Sequence, residues 1–190
     1  MEFTQQEKKF NDLVMEWNRK INLVSRKKTD VYDLISDSRL FLDLITTEEP
    51  VKIADIGTGA GFPGIVIAIH RPDNMLTLID SINKKVNAVK DIVKRLGLGN
   101  VTVINSRAEE LCEDRKFYKT FDVVTARSVA PLARLAAWSR NLLKRNGKLI
   151  TLKGGDITGE LREAERLKFV RDIKLKNVNG GKKFVITELF

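Results

Sequence analysis

The sequence predicts an α/β fold, a mostly parallel seven-stranded sheet with an antiparallel edge strand and a helical extension at its N-terminus. Three observations carry that expectation. From Val51 onward, short apolar runs alternate with amphipathic helical stretches, the pattern of a parallel sheet joined by right-handed crossovers. Before that point the periodicity is helical only. At the far end, two strand-like runs flank Asn179-Gly180-Gly181, a hairpin turn signal.

The extension comes first. Phe10, Leu13, Val14, Trp17 and Ile21 recur at spacings of three and four, which puts them on one face of a helix starting near Thr4, an N-cap residue type. Asp30 is placed to cap a second helix whose apolar side runs through Val31, Leu34, Ile35, Phe41, Leu42 and Ile45. Both stripes read as core against the sheet. The chain divides near Thr46-Thr47-Glu48-Glu49-Pro50, giving a helical extension over 1–48 and a sheet domain over 49–190. With 190 residues in all, one hydrophobic core is expected.

In the sheet domain, Val51 to Ile56, Met75 to Ile79, Val101 to Asn105, Phe121 to Thr125 and Lys148 to Lys153 read as strands. The helices between them are Gly64 to Arg71, Asn83 to Leu96, a short turn at Ala108 to Cys112, and Pro131 to Lys144. A charged helix near Thr158 to Lys168 precedes the runs Ile173 to Val178 and Lys183 to Leu189. As a hairpin, these two add the antiparallel strand.

Composition narrows the chemistry. Hydrophobic residues make up 43% and charged residues 31%, the balance of a soluble globular chain. The segment from Met1 to Lys9 lacks an apolar signal core, and no stretch approaches the roughly 18 apolar residues of a membrane span, so a cytoplasmic protein without membrane contact is expected. One cysteine, Cys112, excludes an internal disulfide and any CxxC site, and with a single histidine, His70, no metal site is expected. His70 lies near a helix end before Arg71-Pro72 and reads as a helix C-terminal residue. The net charge of +9, from 34 Lys and Arg against 25 Asp and Glu, favours a polyanionic partner through counterion release. A surface laced with ion pairs accounts for the same excess equally well.

The sharpest motif is Asp55-Ile56-Gly57-Thr58-Gly59-Ala60-Gly61-Phe62-Pro63-Gly64 at the first strand-to-helix turn, where open α/β sheets bind ligands. Its subset Gly59-x-Gly61-x-x-Gly64 also fits a dinucleotide fingerprint, with Asp80 at the distance of a ribose-binding acid. Asp55 argues against a dinucleotide, because a carboxylate at the loop mouth repels a pyrophosphate but suits a ligand bearing ammonium and sulfonium groups. Asp80 ends the second strand, where a carboxylate can accept both ribose hydroxyls; it is also placed to cap the following helix. At the third tip, Arg107-Ala108-Glu109-Glu110 offers backbone groups and an acid, or opens a short helix with an acidic first turn. At the fourth, Arg127 faces the same crevice or serves as a structural ion-pair partner. No Asn-Pro-Pro-Tyr-type motif, which would accept hydrogen bonds from an exocyclic amine, stands there, and the lack of a cysteine disfavours covalent attack on a pyrimidine ring.

Taken together, Asn22-Leu23, the segment 55 to 64, Arg107-Ala108-Glu109-Glu110, Ala126-Arg127-Ser128-Val129-Ala130 and Leu152-Lys153-Gly154 resemble the bacterial RsmG family, also called GidB, in order and over nearly the whole chain. These are 16S ribosomal RNA guanine-N7 methyltransferases. The resemblance implies a Rossmann-like fold, S-adenosylmethionine as cofactor, and 16S rRNA or a small-subunit precursor as partner, with the enzyme a monomer. It implies cofactor contacts at Gly57, Phe62, Asp80, Ser81, Ile82, Ala108, Glu109 and Arg127, to which the loop itself adds Asp55, Gly59 and Gly61. Arg127 is the candidate positioning group, and no acid or base is assigned, because N7 carries a lone pair and no proton. Asn22, Lys27 and Lys28 fall where the resemblance implies that the helical region meets RNA, although Val24 stands where the family usually has Thr; Arg19, Lys20 and Arg26 join the lysines as candidates for a basic face on the N-terminal helices. A small-molecule methyltransferase would share the cofactor loop but need a closed, mostly apolar pocket. An RNA-binding module without catalysis would tolerate loss of Asp55 or Arg127.

Overall fold

A computed structural model describes residues 2–46, 49–178 and 180–190. The division expected near residues 46–50 runs through Thr47 and Glu48, and the hairpin turn includes Asn179; these three lie outside the described residues, as does Met1.

The N-terminal segment holds α1 (Gln5–Lys20) and α2 (Tyr32–Arg39). Thr4 caps α1 as expected: its side chain accepts from the Glu7 N–H, and the Glu7 carboxylate accepts from the Thr4 N–H. The second helix is shorter than its apolar stripe suggested. Val31 precedes it, and the chain leaves the helix after Arg39 to run through turns, so that Phe41 packs edge-on against Phe184, ring centroids 4.8 Å apart. Asp30 accepts from the Tyr32 N–H at 3.2 Å, holding the entry to the helix.

Seven strands follow: β1 (Lys52–Ile56), β2 (Met75–Asp80), β3 (Val101–Asn105), β4 (Phe121–Arg127), β5 (Leu143–Gly154), β6 (Val170–Val178) and β7 (Lys182–Leu189). Their order across the sheet is β3-β2-β1-β4-β5-β7-β6. The first five are parallel, and β7 runs antiparallel to both its neighbours, one place in from the edge occupied by β6. The intervening helices are α3 (Gly64–His70), α4 (Asn83–Leu96), the short α5 (Ala108–Leu111), α6 (Leu132–Leu142) and α7 (Thr158–Glu165).

Both faces of the sheet are covered, which is why the parallel strands read as apolar runs rather than as alternation. Ile53, Leu76 and Leu78 point into one apolar cluster with α1, α3 and α4, and Ala54, Ile56 and Val124 into a second with α5 and α6. Phe10, Leu13 and Val14 of α1 belong to the first cluster, so the N-terminal helices share the core of the sheet. Polar contacts reinforce that seam: Trp17 donates from its indole to Asp91 on α4 at 2.8 Å. His70 ends α3, in agreement with the sequence, and its Nε2 lies 2.9 Å from the fully buried carboxylate of Glu7, which also accepts from Arg39 through both oxygens.

Candidate active site at the carboxyl end of the sheet

The strand order reverses between β1 and β4, and in an open α/β sheet that is where a crevice forms at the carboxyl ends of the strands. A cavity of about 440 Å³ opens there, within the usual range for a small-molecule site. The glycine turn after β1, the tips of β2, β3 and β4, and the loop after α1 all contribute to its wall. Gly57, Gly59, Phe62, Asp80, Ser81, Ile82, Ala108, Glu109 and Arg127 line it together.

Gly59 sits at φ +60, and a Cβ built there meets only the Gly57 carbonyl oxygen, at 3.9 Å. The turn therefore presents bare backbone to open space. The Gly59 N–H donates to Asp80 Oδ2 at 3.0 Å, while Asp80 Oδ1 accepts from the Ile82 N–H at 2.9 Å. Asp80 thus ties the first tip to the second. It does not cap α4, whose N-cap residue is Ile82 without a side-chain bond. Each Asp80 oxygen keeps lone-pair capacity for a ligand hydroxyl. Beside it, Ile82 exposes 41% of its surface and lines the crevice with Ala108. At the third tip, Glu110 accepts from the Arg107 N–H at 3.3 Å and opens α5, whereas Glu109 lines the crevice.

Asp55 and Gly61 are not part of that wall, and here the expected role of Asp55 is corrected. Its side chain is fully buried under the glycine turn, with Oδ2 accepting from Thr58 Oγ1 at 2.6 Å and the Gly64 N–H at 3.1 Å, and Oδ1 accepting from Thr125 Oγ1 at 2.9 Å. Turned inward, it organises the turn and presents no charge at the loop mouth. So placed, it does not stand where it could repel a pyrophosphate.

Burial pushes the Asp55 carboxyl up to about 6, against hydrogen bonds from Thr58, Thr125 and Gly64 and the nearby Arg127 charge. The folded value lies above the unfolded 3.8, so the group's contribution to stability is full below 3.8 and is lost as pH rises through about 6, about 3 kcal/mol across the window. Asp55→Asn is expected to remove this component. The check is a series of urea midpoints from pH 4 to 7.5, in which the difference between wild type and variant should change by most of that amount; a constant difference refutes the assignment.

Arg127 ends β4 with its guanidinium 5.6 Å from the Phe62 ring centroid and 3.7 Å from Asp37 on α2. It lines the crevice and has an ion-pair partner there. Burial draws its pKa below the ordinary arginine value, opposed by Asp37, Asp55 and Asp33. Beyond it, the turn 128–131 is fixed from behind: Lys153 donates to the Ala130 carbonyl at 2.7 Å and to Glu160 at 2.7 Å, and Glu160 accepts from the Leu132 N–H at 2.8 Å.

The basic candidates lie beside the crevice but not in it. Arg19 and Lys20 end α1, and Asn22, Arg26, Lys27 and Lys28 occupy the loop to α2. Lys20 reaches Glu16 at 3.3 Å, Lys28 reaches Asp33 at 2.6 Å, and Arg26 donates to Asn22. The same loop supplies Leu23 and Val24 to the crevice wall, residues with no assigned cofactor role in the sequence reading. Buried Asn18 places them, its Oδ1 accepting from both N–H groups at 3.0 Å. No local pattern signals this, because the contact spans separate elements. Val129 also lines the wall and is legible in the sequence, since it stands two residues past the tip of β4.

The fold and the crevice define a Rossmann-like methyltransferase class. A solved structure of that fold, a mutant of MtNAS in complex with S-adenosylmethionine, superposes with a TM-score of 0.65 at 14% identity, covering 97% of this chain and 71% of the other. The family model for rRNA small subunit methyltransferase G, GidB, matches residues 4–186, and the chain belongs to that family. Ribosomal RNA small subunit methyltransferase G of Lactococcus lactis subsp. cremoris is 37% identical, over 93% of this chain and 78% of the relative. The Clostridium perfringens protein of the same name is 35% identical, over 94% and 79%.

Proposed function

We propose that this chain transfers the methyl group of S-adenosylmethionine to N7 of a guanine in 16S ribosomal RNA, acting as a monomer in the cytoplasm on free rRNA or a small-subunit precursor. The observation that carries the reading is the family match over residues 4–186, joined to a crevice in which the glycine turn, Asp80 and Ala108 meet Arg127. Among the described residues no helix is long and apolar enough to cross a membrane, and no group of His, Cys, Asp or Glu could hold a metal ion.

The residues fit the cofactor. Asp80, with lone pairs free on both oxygens, would take the ribose hydroxyls; Ile82 and Ala108 would flank the purine; and the open space at Gly59, next to the backbone of Gly57, leaves room for the amino-acid end. Phe62, Ser81, Glu109 and Arg127 complete the contact set, with Asp55 and Gly61 shaping the turn from behind. Bound there, S-adenosylmethionine supplies an electrophilic methyl group. The protein's task is then positioning and electrostatics, because N7 offers its lone pair without deprotonation. Leu23, Val24 and Val129 give the acceptor base an apolar wall once it leaves its stack. Arg19, Lys20, Asn22, Arg26, Lys27 and Lys28 would hold the RNA backbone next to that wall, in a division in which residues 1–48 form a helical extension on the domain 49–190.

The expected product is 7-methylguanine. Deproteinised 16S rRNA and small-subunit particles treated with the protein and S-adenosylmethionine should become cleavable by aniline after mild reduction at one guanine. Methylation of an exocyclic amine or a ribose oxygen, which leaves the strand resistant to that cleavage, would overturn the N7 assignment.

A further inference from the structure

We propose that Asp37 is a positioning residue of the methyl-transfer site, setting through an ion pair the place of the Arg127 guanidinium in the crevice. The inference rests on the reading of Arg127 given above and extends it to a residue outside the crevice wall.

Asp37 lies on α2, beyond the strand tips, with its side chain only 15% exposed. One oxygen stands 3.7 Å from Arg127 Nη1, and Lys182 at the start of β7 donates to both oxygens, at 2.6 and 2.8 Å. The carboxylate is therefore fixed by Lys182, and a fixed carboxylate is what a guanidinium on a long side chain needs to be held in one orientation. Arg127 is constrained from its other side by the Phe62 ring, and Phe62 packs on Phe10 of α1 with centroids 5.0 Å apart. Asp33, one helical turn before Asp37, adds a further negative charge from α2 to the field at Arg127, beside that of Asp55 under the glycine turn. The crevice arginine is thus set by the N-terminal helices, α1 through an aromatic contact and α2 through a charge. Removing the Asp37 charge leaves a largely buried cation with freedom to swing out of the crevice, at a cost to transition-state geometry rather than to folding alone.

The test is a double-mutant cycle on 16S rRNA methylation with Asp37→Asn, Arg127→Ala and their combination, with melting temperatures recorded for each. Asp37→Asn is expected to lower the rate at saturating RNA about tenfold in the wild-type background and less than twofold when Arg127 is already Ala. Its effect on melting temperature, which comes from the lost Lys182 contact, should persist in both backgrounds. Asp37→Glu should recover part of the rate. If Asp37→Asn folds poorly, Asp37→Ser in the same cycle gives the coupling. Equal losses of rate in both backgrounds, or a wild-type rate for Asp37→Asn beside a slow Arg127→Ala, would overturn the role of Asp37 alone. A wild-type rate for Arg127→Ala would overturn the reading of the crevice arginine and Asp37 with it.

Discussion

Gly59→Val is expected to abolish cofactor binding while leaving the folded chain largely intact. The reason is the direction in which the new side chain would point. A Cβ at Gly59 meets no atom of the protein closer than the Gly57 carbonyl oxygen at 3.9 Å, so the isopropyl group occupies the crevice and not the core. Holding a β-branched residue at φ +60 costs on the order of 1–2 kcal/mol, which a domain of this size survives. The ligand bears the rest, and affinity for S-adenosylhomocysteine measured by calorimetry should fall at least about 100-fold. Gly64→Val is the contrasting case. There a Cβ lands 2.1 Å from Leu78 Cδ2 and 2.9 Å from Asp55 Oδ2, inside the packing of β2 against α3, so the variant should lose its fold as well as its ligand. Wild-type affinity in Gly59→Val would show that the ligand approaches from elsewhere.

Glu7→Ala is expected to cost about 3–5 kcal/mol of stability, the usual penalty for removing one partner of a buried ion pair. Glu7 is fully buried, and its carboxylate joins three elements: it caps its own helix, pairs with Arg39 on α2 and meets His70 at the end of α3. Burial alone would raise its pKa, but the bonds from Arg39, His70 and Thr4 together hold it down to about 2. That value lies below the 4.5 of an unfolded glutamate, so the contribution is present above 4.5 and is lost as pH falls toward 2. Thermal unfolding at pH 7 should show the melting temperature lowered by on the order of 10 °C, with the gap between wild type and variant closing in acid. A gap that stays constant down to about pH 2 would mean that the carboxylate is not the stabilising group.

Much of this architecture was legible because the strands are covered on both faces and the crossovers are short. The runs at Val101 and Phe121 begin where the sequence placed them, and α4 has the expected bounds. Legibility failed where distant residues decide. The apolar stripe of the second helix continues to Ile45, but Phe41 is claimed by Phe184 on the last strand. The helix expected to reach Lys144 stops at Leu142, because Leu143 pairs with Phe121 in the sheet. At the site, the types and order of the tip residues were readable, since each follows a strand. The inward turn of Asp55 was not, because the hydroxyl that holds its Oδ1 comes from Thr125 on another strand. The Thr4 cap follows from local spacing, whereas the Arg39 partner of Glu7, 32 residues away, does not.

The place of β7 bears on how the molecule can be made. Synthesis delivers β5 before β6 and β6 before β7, yet β6 pairs in the sheet only with β7. Until residues 182–189 have been added, the outer edge of β5 has no strand to pair with, and β6 has no strand to join it to the sheet. The Asp37 carboxylate likewise waits for Lys182, 145 positions later in the chain. A nascent chain can therefore assemble its glycine turn and first four strands early, but it carries a bare, sticky edge until residues 182–189 close it. Closure of that edge and completion of the Asp37 pair beside Arg127 depend on the same strand, so a chain cut short before Lys182 exposes an open sheet edge and leaves that pair incomplete.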